Sequence, residues 1–128
     1  MQWVAVWFLI IVSQPNEKDS YSYSIPVSSQ QECVKAAQTR KNNNRYQKFL
    51  CEVGTMPVQQ DNKSDKLKWQ ETWYLAVVQE DKVKGNYAYT IPYQNKNQCL
   101  QSGKNRKDKN TKNKYICEVG VNPYYSSI

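Results

Sequence analysis

The chain contains no histidine. That one absence removes the serine–histidine–aspartate triad, the cysteine–histidine pair and every metal site built on imidazole. No Cys-x-x-Cys stands anywhere in the sequence, which argues against dithiol redox catalysis. Arginine is scarce too, because 15 of the 18 basic residues are lysine. Sequence-specific DNA readers depend on the bidentate guanidinium fork, so base readout is a poor fit. No hydrophobic run is long enough to cross a bilayer as a helix. The chain therefore reads as non-enzymatic, with no cofactor and no membrane span.

What is present is aromatic and basic. Ten Tyr and four Trp are not the composition of a disordered chain. Net charge is +7, which biases association toward polyanions without specifying one. The 128 residues suffice for one ordinary domain or two very small ones. A unit of about 60 residues buries too little surface to be comfortable alone.

The strongest feature is a repeat. Displaced by 66 residues, the sequence matches itself without a gap. Trp3 falls on Trp69, Trp7 on Trp73 and Leu9 on Leu75. Tyr21, Tyr23, Ile25 and Pro26 fall on Tyr87, Tyr89, Ile91 and Pro92. Cys33 falls on Cys99, and Cys51-Glu52-Val53-Gly54 on Cys117-Glu118-Val119-Gly120. A repeat of this kind has to be recognised before any fold is assigned.

Each copy reads as ββαβ. The run from Met1 to Val12 is a strand rather than the apolar core of a signal peptide. No basic residue precedes it, no small-x-small cleavage pattern follows it, and it recurs inside the chain. Trp3, Ala5, Trp7, Leu9 and Ile11 share one face, and Phe8, Ile10 and Val12 make the other apolar, so cover is expected on both sides. In the second copy Trp69 to Val78 is expected to be half exposed at its start. A polar turn over 13–20, matched by Lys84-Gly85-Asn86, leads to Tyr21–Ile25 or Tyr87–Ile91. Pro26 and Pro92 are expected to end these strands.

Ser29 and Glu32 form a capping box opening a helix. That helix turns Cys33, Ala36 and Ala37 to one face. Its counterpart is poorer, with Ser102 and Gly103 in place of the alanines. A last strand follows, 47–53 or 113–119, with Phe49, Cys51 and Val53 on one face and Gly54 and Pro57 as stops. Lys48 and Lys114 would guard it against edge pairing. The organisation is thus α+β: a first ββαβ repeat over 1–55, a linker over 56–68 and a second repeat over 69–128. The antiparallel strands form one sheet of six or two of three, each repeat adds one helix, and a pseudo-twofold is expected to relate the copies.

Cysteine spacing within the two copies is identical: Cys33 to Cys51 and Cys99 to Cys117. Duplication favours those pairs as disulfides, because an ancestral single unit had only its own two thiols. Closing such a loop stabilises by about 3 kcal/mol. Two reduced thiol pairs and a four-cysteine zinc site remain as alternatives, although the spacing is wrong for zinc. Disulfides would favour an extracellular or virion setting.

Several positions qualify as sites. The connection from helix to last strand is basic in both copies: Arg40, Lys41 and Arg45, then Lys104, Arg106, Lys107, Lys109 and Lys112. Two such loops can grip a polyanion, nucleic acid or acidic glycan by charge; the plainer reading is a solvated surface. Glu52 and Glu118 are equivalent, and a carboxylate pair would need them to meet. Each points away from its cysteine, toward solvent or the second face. The tyrosines of the second strand read as core ahead of a stacking platform. Asn62-Lys63-Ser64 is a glycosylation sequon that has meaning only in a secretory setting.

The order of apolar strand, Ile25-Pro26, Cys33-x-x-Ala36 and Cys51 resembles small uncharacterised proteins common in bacteriophage genomes. The second half departs from the pattern at Ser102-Gly103. The resemblance implies viral origin and no activity. A structural or interaction protein is expected, with a virion accessory of capsid or tail as its specific form. Its partner would be another protein or a further copy of itself. The alternatives are the polyanion-binding module and a small inhibitor of a host defence protein.

Overall fold

A computed structural model describes residues 1–13, 20–43, 47–81, 83 and 85–127. Eight elements follow in order: β1 (Gln2–Ser13), β2 (Tyr21–Val27), α1 (Gln30–Asn43), β3 (Gln47–Val58), β4 (Lys66–Gln79), β5 (Tyr87–Tyr93), α2 (Lys96–Lys109) and β6 (Lys114–Ser126). They make two three-stranded antiparallel sheets, ordered β2-β1-β3 and β5-β4-β6. The repeat is therefore a repeat of structure, and the choice left open by the sequence falls on two sheets rather than one of six strands.

In each copy the first strand becomes the centre. A hairpin lays β2 along one side of β1, and the helix carries the chain back to the other side as β3. Equivalent registers confirm the copies: Leu9 faces Ile25 and Cys51, while Leu75 faces Ile91 and Cys117. The capping reading holds, since the Glu32 N–H donates to Ser29 Oγ at 3.1 Å. In the second copy Asn95 takes the same role, accepting from the Gln98 N–H at 2.9 Å. Ser102 and Gly103 do not shorten α2, which has 14 residues like α1.

Both cysteine pairs are disulfides, Cys33–Cys51 and Cys99–Cys117, with Cα atoms 6.0 and 6.1 Å apart. This removes the reduced-thiol and zinc alternatives. Each bond pins the helix onto its last strand. Cys33 lies in a core with Leu9, Ile11 and Ile25, and Cys99 in one with Leu75 and Val77.

Three expectations need correction. Strands continue through prolines: Pro26 pairs with Phe8, and Pro57 with Trp3, inside β2 and β3. Both are edge strands, where one side of the backbone has no ladder to complete. β3 accordingly runs on to Val58, so the connection between repeats is 59–65 and lies inside the expected linker.

The buried face of β1 also switches along its length. Leu9 and Ile11 are buried beneath α1, as period two requires, but Trp3 is 66% exposed. There the opposite face is covered instead: Val4, Val6 and Val58 pack with Trp69 and Tyr125 of the second repeat. Val53, expected inward, is exposed opposite Trp7.

The third correction concerns symmetry between the copies. β2 lies against both β5 and β6, whereas β5 makes no such approach to β3 among the described residues. A twofold would require the second contact wherever it permits the first. The units match, but their docking is one-sided.

Candidate functional site

The docking of one repeat on the other is the most developed polar arrangement in the molecule. Arg40, in the last turn of α1, donates to Glu118 Oε2 on β6 at 2.6 Å. The Tyr23 hydroxyl donates to the same oxygen at 3.2 Å. Their side chains leave only 28% of Arg40 and 11% of Glu118 exposed. A charge-assisted bond at that depth is worth more than a surface ion pair, because water screens it poorly. Burial first, and the Glu118 carboxylate second, hold the Tyr23 phenol far above its ordinary range.

The flanking contacts are a cation over a ring and a close apolar approach. The Lys114 ammonium sits 5.5 Å from the Tyr21 ring centre. Gly120 faces Ile25 and Pro26, so close that a Cβ there would stand 2.5 Å from Ile25 Cγ2 and 2.8 Å from the Pro26 carbonyl oxygen. Tyr21 at Lys114, Tyr23 at Glu118 and Ile25 at Gly120 ascend together. β2 is thus laid lengthwise along β6, pointing the same way. Beneath it, Tyr74 and Ala76 of β4 join the core of the first repeat. The Tyr74 hydroxyl donates to the Val121 carbonyl at 2.8 Å, and burial pushes its pKa up to about 12.

The same side chains recur, displaced by 66, where no repeat docks. Arg40 corresponds to Arg106, Tyr23 to Tyr89 and Ile25 to Ile91; Glu118 corresponds to Glu52 and Gly120 to Gly54. Tyr23 is 7% exposed and Tyr89 is 41%. Among the described residues Arg106 reaches only Ser102, 3.4 Å from its Nε. Glu52 is exposed and has no partner among the described residues. The two glutamates therefore stand in different surroundings rather than forming a pair. Tyrosine as core holds for Tyr23, while Tyr87 and Tyr89 are exposed.

Six of the eight basic positions lie on helices rather than in loops. Arg40 and Lys41 close α1, and Lys104, Arg106, Lys107 and Lys109 lie on α2. Lys112 is in the turn before β6, and Arg45 lies outside the described residues. Arg40 is held by Glu118, which leaves the first copy with Lys41 at the surface. The second copy gathers its five cations along one helix end and its turn, where cations also complement the helix dipole.

By sequence Arg40 belongs to a basic connection and Glu118 faces solvent or the second face, and nothing marks either as the other's partner. The signal that would have found them was the repeat itself. Equivalent positions with identical residues can still differ when one copy covers the other. No helix among the described residues is long and apolar enough to cross a membrane. No protein-family model, curated protein or solved structure matches the chain.

Proposed function

We propose that the chain is a non-enzymatic structural or interaction protein, in its specific form a virion accessory of capsid or tail. The observation that carries this reading is the Arg40–Tyr23–Glu118 junction. The unit presents its sheet face and helix end to another folded unit, with a buried charge pair at the centre and apolar contacts around it. That is the anatomy of protein–protein recognition. The disulfides suit an extracellular or particle setting, and the resemblance to phage proteins points the same way. Mass spectrometry of purified particles from the native source tests the specific form. The protein should be present in stoichiometric amount, and its absence would reject that form.

A second reading rests on the α2 end, where Lys104, Arg106, Lys107, Lys109 and Lys112 gather. Such a cluster would bind nucleic acid or an acidic glycan with an affinity that falls steeply with salt. Replacing Lys104, Lys107 and Lys109 with Gln should abolish that binding and flatten its salt dependence. Unchanged binding in the variant would reject this reading.

A further inference from the structure

We infer that copies of this chain associate head to tail, each junction repeating the one inside the molecule. This deepens the structural reading above and rests on it. β5 and the end of α2 of one copy, carrying Tyr89, Ile91 and Arg106, dock on the part of the first sheet of the next that is open over β3. That part carries Leu50, Glu52 and Gly54, beside Phe8, which packs with the Val4, Val6 and Val58 cluster that Trp69 and Tyr125 cover.

The occupant is specified by the internal junction. There, β2 and the end of α1 lie on the face of the second sheet that turns away from α2. The corresponding face of the first sheet is Phe8, Ile10, Leu50, Glu52 and Gly54, which share one side by register. It is open over β3, where Leu50 is 50% exposed and Glu52 is exposed. Along β2 it is bordered by Ala88 and Tyr89 of the same chain. The matching insert keeps its tyrosines at the surface, Tyr87 55% and Tyr89 41% exposed, although β5 also lies along β2 of its own chain.

Charge complementarity is preserved. Glu52 offers the carboxylate that Glu118 offers inside the chain, and Arg106 offers the guanidinium of Arg40. The close approach is preserved as well. Gly54 stands where Gly120 admits Ile25, and it carries the same kind of ring beside it, Phe8 in place of Tyr74. A glycine kept at both positions leaves the backbone open to an incoming strand.

The geometry sets the type of assembly. Insert and receiving face are different surfaces of one chain, so the contact is heterologous. A heterologous contact closes into a ring or continues as a filament; it does not stop at an isologous dimer. One-sided docking inside the chain and one unused half of each kind at its two ends are the same fact seen twice.

Sedimentation equilibrium of the full, oxidised chain from micromolar to millimolar concentration tests this. The expected result is a mass that rises with concentration beyond the dimer. Glu52→Arg and Arg106→Ala should each weaken association by about thirtyfold or more. Neither side chain lies in a buried core cluster, and circular dichroism with intact mass checks that each variant remains folded and oxidised. The decisive sample is an equimolar mixture of the two single variants. The first keeps only its insert and the second keeps only its receiving face, so the mixture should stop at a one-to-one heterodimer. Leu50→Lys supplies a second block on the receiving face. A wild-type chain monomeric throughout, a plateau at the dimer, or a mixture of two non-interacting monomers would overturn the proposal. Those outcomes leave the particle measurement untouched, so failure of self-association and failure of the structural reading are told apart.

Discussion

Arg40 and Glu118 stand 78 residues apart in the sequence and 2.6 Å apart in the fold. No other described ion pair joins the repeats, and this one lies where β2 crosses onto the second sheet. It couples the end of a helix in one unit to the edge strand of the other.

Arg40→Ala should destabilise the fold by about 2 kcal/mol, leaving Glu118 mostly buried with only a phenol as partner. The figure is kept low because Arg40 retains some solvent access. Glu118→Gln, which keeps the shape and one acceptor, should cost about 1 kcal/mol. Urea midpoints of the single variants and the double variant would measure the coupling, and strict additivity would show that the pair does not act as a unit.

Three glycines should respond differently to alanine. At Gly120 a Cβ would meet Ile25 and a backbone carbonyl below 3.0 Å, so Gly120→Ala should destabilise by about 1–3 kcal/mol through overpacking. At Gly54 the tight contact is with the Phe8 ring alone, and the cost should be smaller. At Gly103, inside α2, a Cβ would meet Leu75 Cδ1 and Tyr115 Cβ at 3.4 and 3.5 Å, ordinary contact distances. Alanine already stands at the equivalent position 37. Gly103→Ala should therefore stabilise by about 1 kcal/mol through helix propensity. Thermal unfolding of the three variants would show the order.

Stability should fall on the alkaline side. Folding raises the Tyr74 phenol from 10.0 to about 12, so the fold favours its protonated form. That contribution is fully present below pH 10 and is lost as pH rises toward 12. Tyr23, raised further, sustains the trend at higher pH. Chemical unfolding across this range should show the decline, and Tyr74→Phe should lessen its slope between those two values while leaving the part that Tyr23 contributes.

The disulfides should be present in protein from the native source. Reduction should add about 4 Da to the intact mass, two hydrogens for each bond. Cys33→Ser with Cys51→Ser should destabilise the first repeat by about 3 kcal/mol, as the chain-entropy estimate gives for a loop of this length. An unchanged mass would place the protein in a reducing compartment.

The repeat, the element order, the capping residues and the cysteine pairing were all legible in the sequence, because each is local or is duplicated. Ser29 caps its helix through a spacing of three residues, and Cys33 meets Cys51 because both copies repeat the same separation. The exposed Trp3 was not legible. Its face is set by Trp69 and Tyr125 arriving at the opposite side of β1, and nothing near Trp3 announces them. Pro57 was misread because a proline stops an interior strand but is tolerated at an edge. Position within the sheet is a property of the whole fold. Glu118 depends on the whole fold in the same way, since its position in the strand allows either solvent or the second face. Glu52 and Glu118 are identical in local sequence, and only the one-sided docking of the repeats separates a solvated carboxylate from a bonded one.

The pairing of Gln2 with Val58, and of Lys66 with Ser126, brings the chain into each unit and out of it at one corner. A unit with adjacent ends can be spliced out or inserted again without rethreading anything around it. Removal or addition of one whole copy would leave every hairpin and staple of the remaining copies intact.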